Sequence, residues 1–324
     1  MKIEKIVGTM MGLAVGDALG VPVEFVNAED IRKRYGVLDK MTGGGTWGQE
    51  AGTVSDDTAM ALAVAEGIVN NANNPVPEIG KRFIDWYKGR PFDIGFCCAS
   101  VIQQMEDLEG ADAYDWFNAS KDYDVESGGR SAGNGGLMRT AFVGCYYREP
   151  KNVEYYAKDI CRMTHYDEGA QLDCCLLSLI IHKLIDGGTK EDIENLVMKY
   201  EIRYNLGEIE GYPFRVEPSG KSWNSLACAL KCVLATRSFK DAVVMAVNMG
   251  GDADTIGAIT GAMAGALYGD EEIPVEWKNA LKRDVRTKIL DVCSYAGINR
   301  MGGVDNALKE VVEMLDRKLQ KEGV

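Results

Sequence analysis

Along most of the chain, hydrophobic residues recur at spacings of three and four, the period that gathers them on one face of an α-helix. Ile6, Met10, Leu13, Val15 and Leu19 mark the first such segment, and Ala59–Val69 the second. The same period predicts helices over Ile79–Tyr87, Ala99–Leu108, Val153–Met163, Leu172–Ile185, Ile193–Tyr200 and Leu226–Leu234. It continues over Ala242–Val247, Ile256–Tyr268, Trp277–Val292 and Ala307–Leu319. Alternation at period two is almost missing; only Arg203–Val216 has room for a short hairpin. With eight prolines and no Ser/Pro-rich linker, nothing marks a domain boundary. The expectation is an all-α fold, a single compact multi-helix domain spanning residues 1–324.

Two segments carry glycines in register. Gly8, Gly12, Gly16 and Gly20 are spaced by four, as are Gly257, Gly261, Gly265 and Gly269. Four residues turn a helix by about 400°, so each set forms one slowly drifting stripe. Each glycine costs roughly 1 kcal/mol relative to alanine, a cost that close approach of two backbones offsets. The pattern predicts two central, tightly packed helices. A membrane span is not expected: the run Ile256–Tyr268 is shorter than the ~20 residues needed to cross a bilayer, and Asp17 interrupts the other segment.

Charge and composition narrow the chemistry. Asp and Glu number 49 against 36 Lys and Arg, a net charge of −13, which argues against nucleic acid or an anionic membrane as partner. Two histidines, His165 and His182, cannot build a multi-histidine metal site. Nine cysteines without any C-x-x-C spacing, after a start that lacks an apolar secretory core, predict reduced, buried thiols in a cytoplasmic protein. A metal, if held, takes oxygen ligands. No heptad seam or exposed strand pattern predicts association, so a monomer is expected.

The oxygen ligands are concentrated at two helix starts. Ser55-Asp56-Asp57-Thr58 precedes one apolar helix, and Gly251-Asp252-Ala253-Asp254-Thr255 precedes the second glycine stripe. Capping the first turn needs one such residue, worth ~1 kcal/mol. Two carboxylates and a hydroxyl at both places exceed that need, and adjacent like charges repel unless a cation neutralises them. Ser55, Asp56, Asp57, Asp252, Asp254 and Thr255 together can form a hard-cation site for Mg²⁺ or Mn²⁺. The segment Ser127–Gly136 holds five glycines in ten residues, a composition that either makes a flexible loop or lets backbone N–H groups cradle a phosphate.

These residues are similar to the motifs of the ADP-ribosylglycohydrolases, the dinitrogenase-reductase-activating branch included. The resemblance rests on six ordered segments: GTMMGLAVGDALGVPVEF (Gly8–Phe25), GTVSDDT (Gly52–Thr58), DIG (Asp93–Gly95), GNGGLMR (Gly133–Arg139), Thr164-His165 and GGDADTIGAITG (Gly250–Gly261).

The resemblance implies an all-α fold with two divalent cations, Mg²⁺ or Mn²⁺, in a central cleft, and cleavage at the anomeric carbon of ADP-ribose. By motif match it implies Ser55, Asp56 and Asp57 as one metal cluster and Asp252, Asp254 and Thr255 as the other. Glu24 falls beside the metals, and Glu24, Asp56 and Asp57 are the carboxylates from which the general base comes. Asp93, which the sequence would place as the cap beginning a helix, falls on the target side. Ser131, Gly133, Asn134 and Gly135 fall at the diphosphate, with His165 near the ligand; His182 reads as core. The chain departs from the family at Ser55, where threonine is common, at Cys97-Cys98 in place of Thr-Thr, and at Lys221 in place of an aromatic. Tyr212 and Tyr114 are the aromatics left to stack on adenine. Cys97 has no visible His or Asn partner as a nucleophile. Arginine-linked ADP-ribose on a protein is the favoured substrate. Serine-linked ADP-ribose, small ADP-ribosyl compounds and a nonenzymatic ADP-ribose-binding role stay open.

Overall fold

A computed structural model describes residues 2–204, 216–306 and 308–309. Within them the chain forms α1 (Lys2–Gly20), α2 (Ala28–Tyr35), α3 (Asp56–Asn70), α4 (Val76–Lys88), α5 (Phe96–Met105), α6 (Ala113–Glu126), α7 (Ala141–Tyr146) and α8 (Pro150–Arg162). It continues through α9 (Glu168–Ile185), α10 (Lys190–Tyr204), α11 (Ser222–Ala235), α12 (Phe239–Val247), α13 (Ala253–Tyr268), α14 (Val275–Ala280) and α15 (Arg283–Met301). The sheet among the described residues is one two-residue antiparallel pair, β1 (Val26–Asn27) with β2 (Gly250–Gly251). The hairpin expected over Arg203–Val216 and the helix expected over Ala307–Leu319 lie almost wholly outside the described residues.

The glycine stripes meet. α1 and α13 run antiparallel at the centre, with Gly8 opposite Gly265, Gly12 opposite Gly261 and Gly16 opposite Gly257. A Cβ at any of these six positions would fall inside 3.0 Å of a backbone carbonyl on the facing helix. Only hydrogen fits there, which is why both stripes accept glycine's helix penalty. The remaining faces of the pair are apolar and covered: α7, α9 and α15 lie against α1, and α9, α11 and α12 against α13. The segment Lys2–Val23 is long and apolar enough to span a bilayer, yet 94% of its apolar window is buried inside the fold.

This packing fixes the site. The last stripe position, Gly20, sits against the backbone of Asp254, so the end of α1 lands on the start of α13. β1 and β2 extend the junction, Val26 pairing with Gly251 and Asn27 with Gly250. Asp17, Glu24, Asp252 and Asp254 are thereby drawn to one end of the central helix pair.

Four features differ from the periodic pattern. Helix α2 buries only Ile31 and is held by its cap, the Asn27 side chain accepting from the Asp30 N–H at 3.0 Å. Helix α6 buries only Trp116, Ala119 and Ser120 and starts at a reciprocal Asp112/Asp115 capping box. Helix α7 is six residues long, too short to show a period. The segment Trp277–Val292 is two helices rather than one. Leu281 and Lys282 are extended (ψ 143° at both) and break it without glycine or proline.

Candidate active site

The carboxylates predicted from two helix starts do converge. Helices α3 and α13 present their N-termini to the same point, and Asp17 enters between them from α1. Asp17 is fully buried and accepts from the backbone N–H groups of Ser55 (3.0 Å) and Thr58 (3.1 Å) and from the Thr58 hydroxyl (2.5 Å). It thus organises the first turn of α3. Ser55 caps that helix, its Oγ accepting from the Asp57 N–H at 3.3 Å while donating to Asp57 Oδ2 at 3.0 Å. From the other helix, Thr255 Oγ1 donates to the same Asp57 oxygen at 3.3 Å. Asp252 occupies the cap position of α13 without capping it; its Oδ2 accepts instead from Asn134 Nδ2 at 2.8 Å. Capping therefore accounts for Ser55 and leaves the aspartates unexplained.

Two overlapping groups of three carboxylates result. Asp17, Asp57 and Asp254 each bring one oxygen within 4.8 Å of the others, and Glu24, Asp93 and Asp254 do the same. Asp57 Oδ1 and Asp254 Oδ2 are buried with no hydrogen-bond partner. Orphaned, all-oxygen and wholly anionic, this donor set fits a hard divalent cation. Asp56 and Asp252 stand outside these groups and flank them. Asp56 accepts from the Gly95 N–H at 3.4 Å and is hydrogen-bonded to Asp93.

Burial dominates the titration of this cluster. It pushes Asp17 up to about 6 despite the hydrogen bonds from Thr58 and Ser55, and raises Asp56, Asp57 and Asp254 well above the usual carboxylate range. Burial raises Glu24 to about 8, opposed by a hydrogen bond from the Trp47 indole and reinforced by the charges of Asp93, Asp252 and Asp17. Asp93 is raised as well, again chiefly by burial. Like charges held this closely favour protons or a cation over full ionisation.

Glu24, Asp56, Asp93, Asp252 and Thr255 open on a cavity of about 550 Å³, whereas Ser55, Asp57 and Asp254 lie behind its surface. The opposite wall is the glycine loop. Gly133, Asn134 and Gly135 line it with His165, Gly220 and Arg130. The loop is clamped to the start of α11: Asn134 N donates to Gly220 O at 2.9 Å and Ser222 N to Ala132 O at 3.0 Å. A Cβ at Gly135 would reach within 2.9 Å of the His165 ring, so glycine is needed for the loop to pack against the imidazole. His165 is buried, and burial, then the charge of Arg139, lowers its pKa to about 3.

Ser131 and Tyr114 land away from the cavity, and Asp93 reaches it from a loop rather than a helix start. Ser131 is fully buried away from the cavity, donating to Asp124 Oδ1 (2.6 Å) and accepting from the Asp167 N–H (2.9 Å); it pins the loop. Asp93 does not begin a helix: α5 starts at Phe96 with Gly95 as its cap, and the aspartate reaches the cavity from the preceding loop, hydrogen-bonded to Asp56. Tyr114 is exposed on α6 and absent from the cavity lining, and Tyr212 lies outside the described residues. His182 is a core residue, its Nδ1 3.0 Å from Arg300. Cys97 lines the cavity with its thiol donating to Thr164 O at 2.8 Å, and burial drives its pKa upward, the opposite of an activated nucleophile. All nine cysteines are free and buried.

The sequence reading passes over Asp17, whose one signal was a carboxylate inside an apolar glycine stripe. It also assigns no role to Trp47, Phe25 and Phe96, cavity residues of which only Phe25, at the end of the first motif segment, carries a sequence signal. A second cavity of about 360 Å³, lined by Tyr155, Tyr156, Lys158, Asp159 and Arg162 among others, gathers no comparable cluster.

Comparison with known proteins agrees with this geometry. The ADP-ribosylglycohydrolase family model matches residues 1–306. The ADP-ribosyl-[dinitrogen reductase] glycohydrolase of Rhodospirillum rubrum is 30% identical over 309 residues, covering 91% of this chain and 98% of that one. ADP-ribosylarginine hydrolase Tri1 of Serratia proteamaculans is 30% identical over 88% of this chain and 77% of its own. Human ADP-ribosylhydrolase ARH3 is 26% identical over 87% of this chain and 90% of its own. A solved structure described as an ADP-ribosylglycohydrolase-related protein complex superposes with a TM-score of 0.76 at 27% identity, covering 91% of this chain and 99% of that one. With its acidic cluster facing a glycine loop across one cavity, the chain belongs to the ADP-ribosylglycohydrolase family of glycosidases.

Proposed function

We propose that the protein is a divalent-cation-dependent hydrolase that releases ADP-ribose from an ADP-ribosylated side chain, with arginine the favoured linkage. The observation that carries this reading is the two-walled cavity, with buried carboxylates on one side and N–H donors on the other. Asp17, Asp57, Asp254 and Asp93 are the residues that would hold two cations, Mg²⁺ or Mn²⁺, with Ser55 and Thr255 hydrogen-bonded to Asp57 and Glu24 beside them. Bound there, such cations neutralise the cluster and supply Lewis acidity toward water and ribose hydroxyls.

The chain's own residues do the rest. The glycine loop and Arg130 receive the diphosphate, which leaves the distal ribose at the carboxylate wall. Water adds its oxygen to the anomeric carbon as the glycosidic bond breaks, through a transition state with oxocarbenium character. One water proton passes to Glu24, which lines the cavity, and from there to the leaving nitrogen. Phe25 and Phe96 favour arginine. Both line the cavity with rings 68% and 89% exposed, and Phe25 sits at φ 61°, an uncommon conformation for a bulky residue. Aromatic faces at the cavity mouth suit a planar guanidinium better than a serine hydroxyl. Two of the relatives bear names of arginine-directed hydrolases or of a dinitrogen reductase glycohydrolase.

The test is release of free ADP-ribose from arginine- and serine-ADP-ribosylated peptides by metal-stripped protein, with Mg²⁺ or Mn²⁺ added back. An Asp57→Asn/Asp254→Asn variant runs in parallel. Cation-dependent release from the arginine peptide, lost in the variant, is expected. Equal release with and without cation overturns the metal assignment, and release only from the serine peptide overturns the linkage.

A further inference from the structure

His165 presents its imidazole to the glycine loop, and the hydrogen bonds behind it determine which nitrogen carries the proton. Arg139, fully buried under the loop, has no carboxylate partner among the described residues. Its guanidinium stacks over Phe83 at 4.8 Å and donates through Nη2 to Ile160 O (2.9 Å) and Thr164 Oγ1 (2.8 Å), and through Nη1 to Cys98 Sγ (3.6 Å). A guanidinium only donates, so Thr164 Oγ1 is an acceptor toward it. The Cys98 thiol also points at Thr164 Oγ1, at 3.8 Å. Arg139 takes one lone pair of the hydroxyl, and at 3.8 Å the sulfur is too distant to compete for its proton. One contact remains to take the hydroxyl proton: His165 Nδ1, 2.8 Å away.

We propose that Arg139 and Thr164 are positioning residues that lock His165 into its Nε2–H tautomer, making the imidazole a fixed neutral donor toward an anionic oxygen seated in the Gly133–Gly135 loop. The logic is an accounting of protons. Thr164 donates to Nδ1, so Nδ1 is bare, and a neutral imidazole must then carry its proton on Nε2. That nitrogen faces the loop: a Cβ at Gly133 would lie 3.2 Å from it and one at Gly135 3.3 Å. It has no hydrogen-bond partner among the described residues, and His165 is one of the residues lining the cavity. Burial with the adjacent guanidinium keeps the ring neutral, so the donor persists across the physiological pH range. Arg139 does two things at once. It fixes the direction of the hydroxyl, and it places an uncompensated positive charge behind the wall that receives the anion. The ligand class is a phosphate or diphosphate ester. Only that part rests on the function proposed above, since the tautomer is a property of the free protein.

The experiment is a long-range ¹H–¹⁵N correlation spectrum of histidine-labelled protein, read first without ligand. The chain has two histidines, and a His165→Gln variant assigns them. The expected spectrum has a protonated Nε2 and a bare Nδ1 for His165, unchanged between about pH 5.5 and 8. A protonated Nδ1, or titration in that range, overturns the proposal. Thr164→Val, which keeps the shape and deletes the donor, is expected to give a mixture of tautomers and to weaken ADP-ribose binding about tenfold. KM on a competent substrate should rise with kcat little changed, and Thr164→Ser should restore tautomer and affinity together. A folded Thr164→Val protein with the parent tautomer and affinity also overturns the proposal. Where that variant does not fold, the wild-type spectrum and Thr164→Ser still decide. A wild-type protein with the expected tautomer that fails to bind ADP-ribose supports the lock and removes the functional reading instead.

Discussion

The two walls of the cavity are built on opposite electrostatic plans. The α3–α13 wall holds carboxylates pressed together, with two of their oxygens buried and unpaired. The loop wall carries the positive charges: the guanidinium of Arg130 at the rim and that of Arg139 behind it, with the His165 imidazole between the loop and Arg139. The first wall is net negative and the second net positive. Asn134 joins them, its Nδ2 donating to Asp252 on the acidic side and to Ser225 Oγ at 2.9 Å on the other. On the proposed function, a diphosphate would meet one wall and a ribose with divalent cations the other. The difference teaches that substrate binding and metal binding are separable, and that variants of one wall should spare the other.

The sharpest break is at Asp254, shared by both groups of three carboxylates. Asp254→Asn should lower turnover by more than about 100-fold, since changes merely adjacent to metal ligands cost 10–100-fold. Affinity for ADP-ribose measured without cation should change little. Calorimetric titration of cation and of ADP-ribose separately checks both, and equal loss of both would merge the two walls into one site.

Second in size is the stability of the acidic wall. The folded-state values of Asp17, about 6, and Glu24, about 8, stand above the unfolded carboxylate value near 4. The folded protein therefore binds more protons than the unfolded chain over this interval. Stability of the cation-free protein should be greatest at the acid end and fall as pH rises from about 4 to about 8. Saturating Mg²⁺ or Mn²⁺ replaces those protons, so the cation-induced rise in Tm should be larger at pH 8 than at pH 5. At about 100 times Kd the gain corresponds to about 2.7 kcal/mol, or a rise on the order of 5 °C. Scanning calorimetry at both pH values with and without chelator measures it; a flat pH profile without cation would remove the repulsion assigned to this wall.

Gly12→Ala probes what holds the wall together. Alanine improves helix propensity by roughly 1 kcal/mol, but its methyl would strike the Gly261 carbonyl, which is backbone and cannot rotate aside. Overpacking should win, with a net loss of about 1–3 kcal/mol. Because the same interface docks Gly20 onto Asp254, cation affinity should weaken too, while the loop wall keeps the His165 tautomer.

Much of this arrangement was legible before folding, and the omissions have physical causes. The stripes are visible because a spacing of four survives on a helix, and the clusters because they exceed what a cap requires. Asp17 gave almost no signal, since its partners Ser55 and Thr58 are nearly forty residues distant and meet it only once α1 docks. Helices α2 and α6 were hidden because capping rather than an apolar face defines them. The break at Leu281 and Lys282 was hidden because the hydrophobic period runs across it. Ser131 sits in a ligand-like motif but turns inward, a distinction that no spacing encodes. The direction of the Thr164 hydroxyl needs three elements at once, α5, the Arg139 segment and the end of α8, so it belongs to the tertiary structure alone.

The smallest effect separates specificity from chemistry at the mouth of the acidic wall. Phe25 and Phe96 are too exposed to contribute to the core, so Phe25→Ala/Phe96→Ala should leave Tm nearly unchanged. Their expected work is on the leaving group. A cation–π contact at an exposed site is worth about 0.5–1 kcal/mol, which corresponds to a two- to fivefold rise in KM for an arginine-linked peptide. Free ADP-ribose has no guanidinium and should bind as before, and a serine-linked peptide should show no change in KM. Comparing the three ligands on one variant isolates the contribution of the rings. A uniform loss across all three would assign Phe25 and Phe96 to the shape of the cavity, and the preference for arginine would then have to come from the carboxylates themselves, Asp93 first, as the cavity carboxylate in the loop that leads into Phe96.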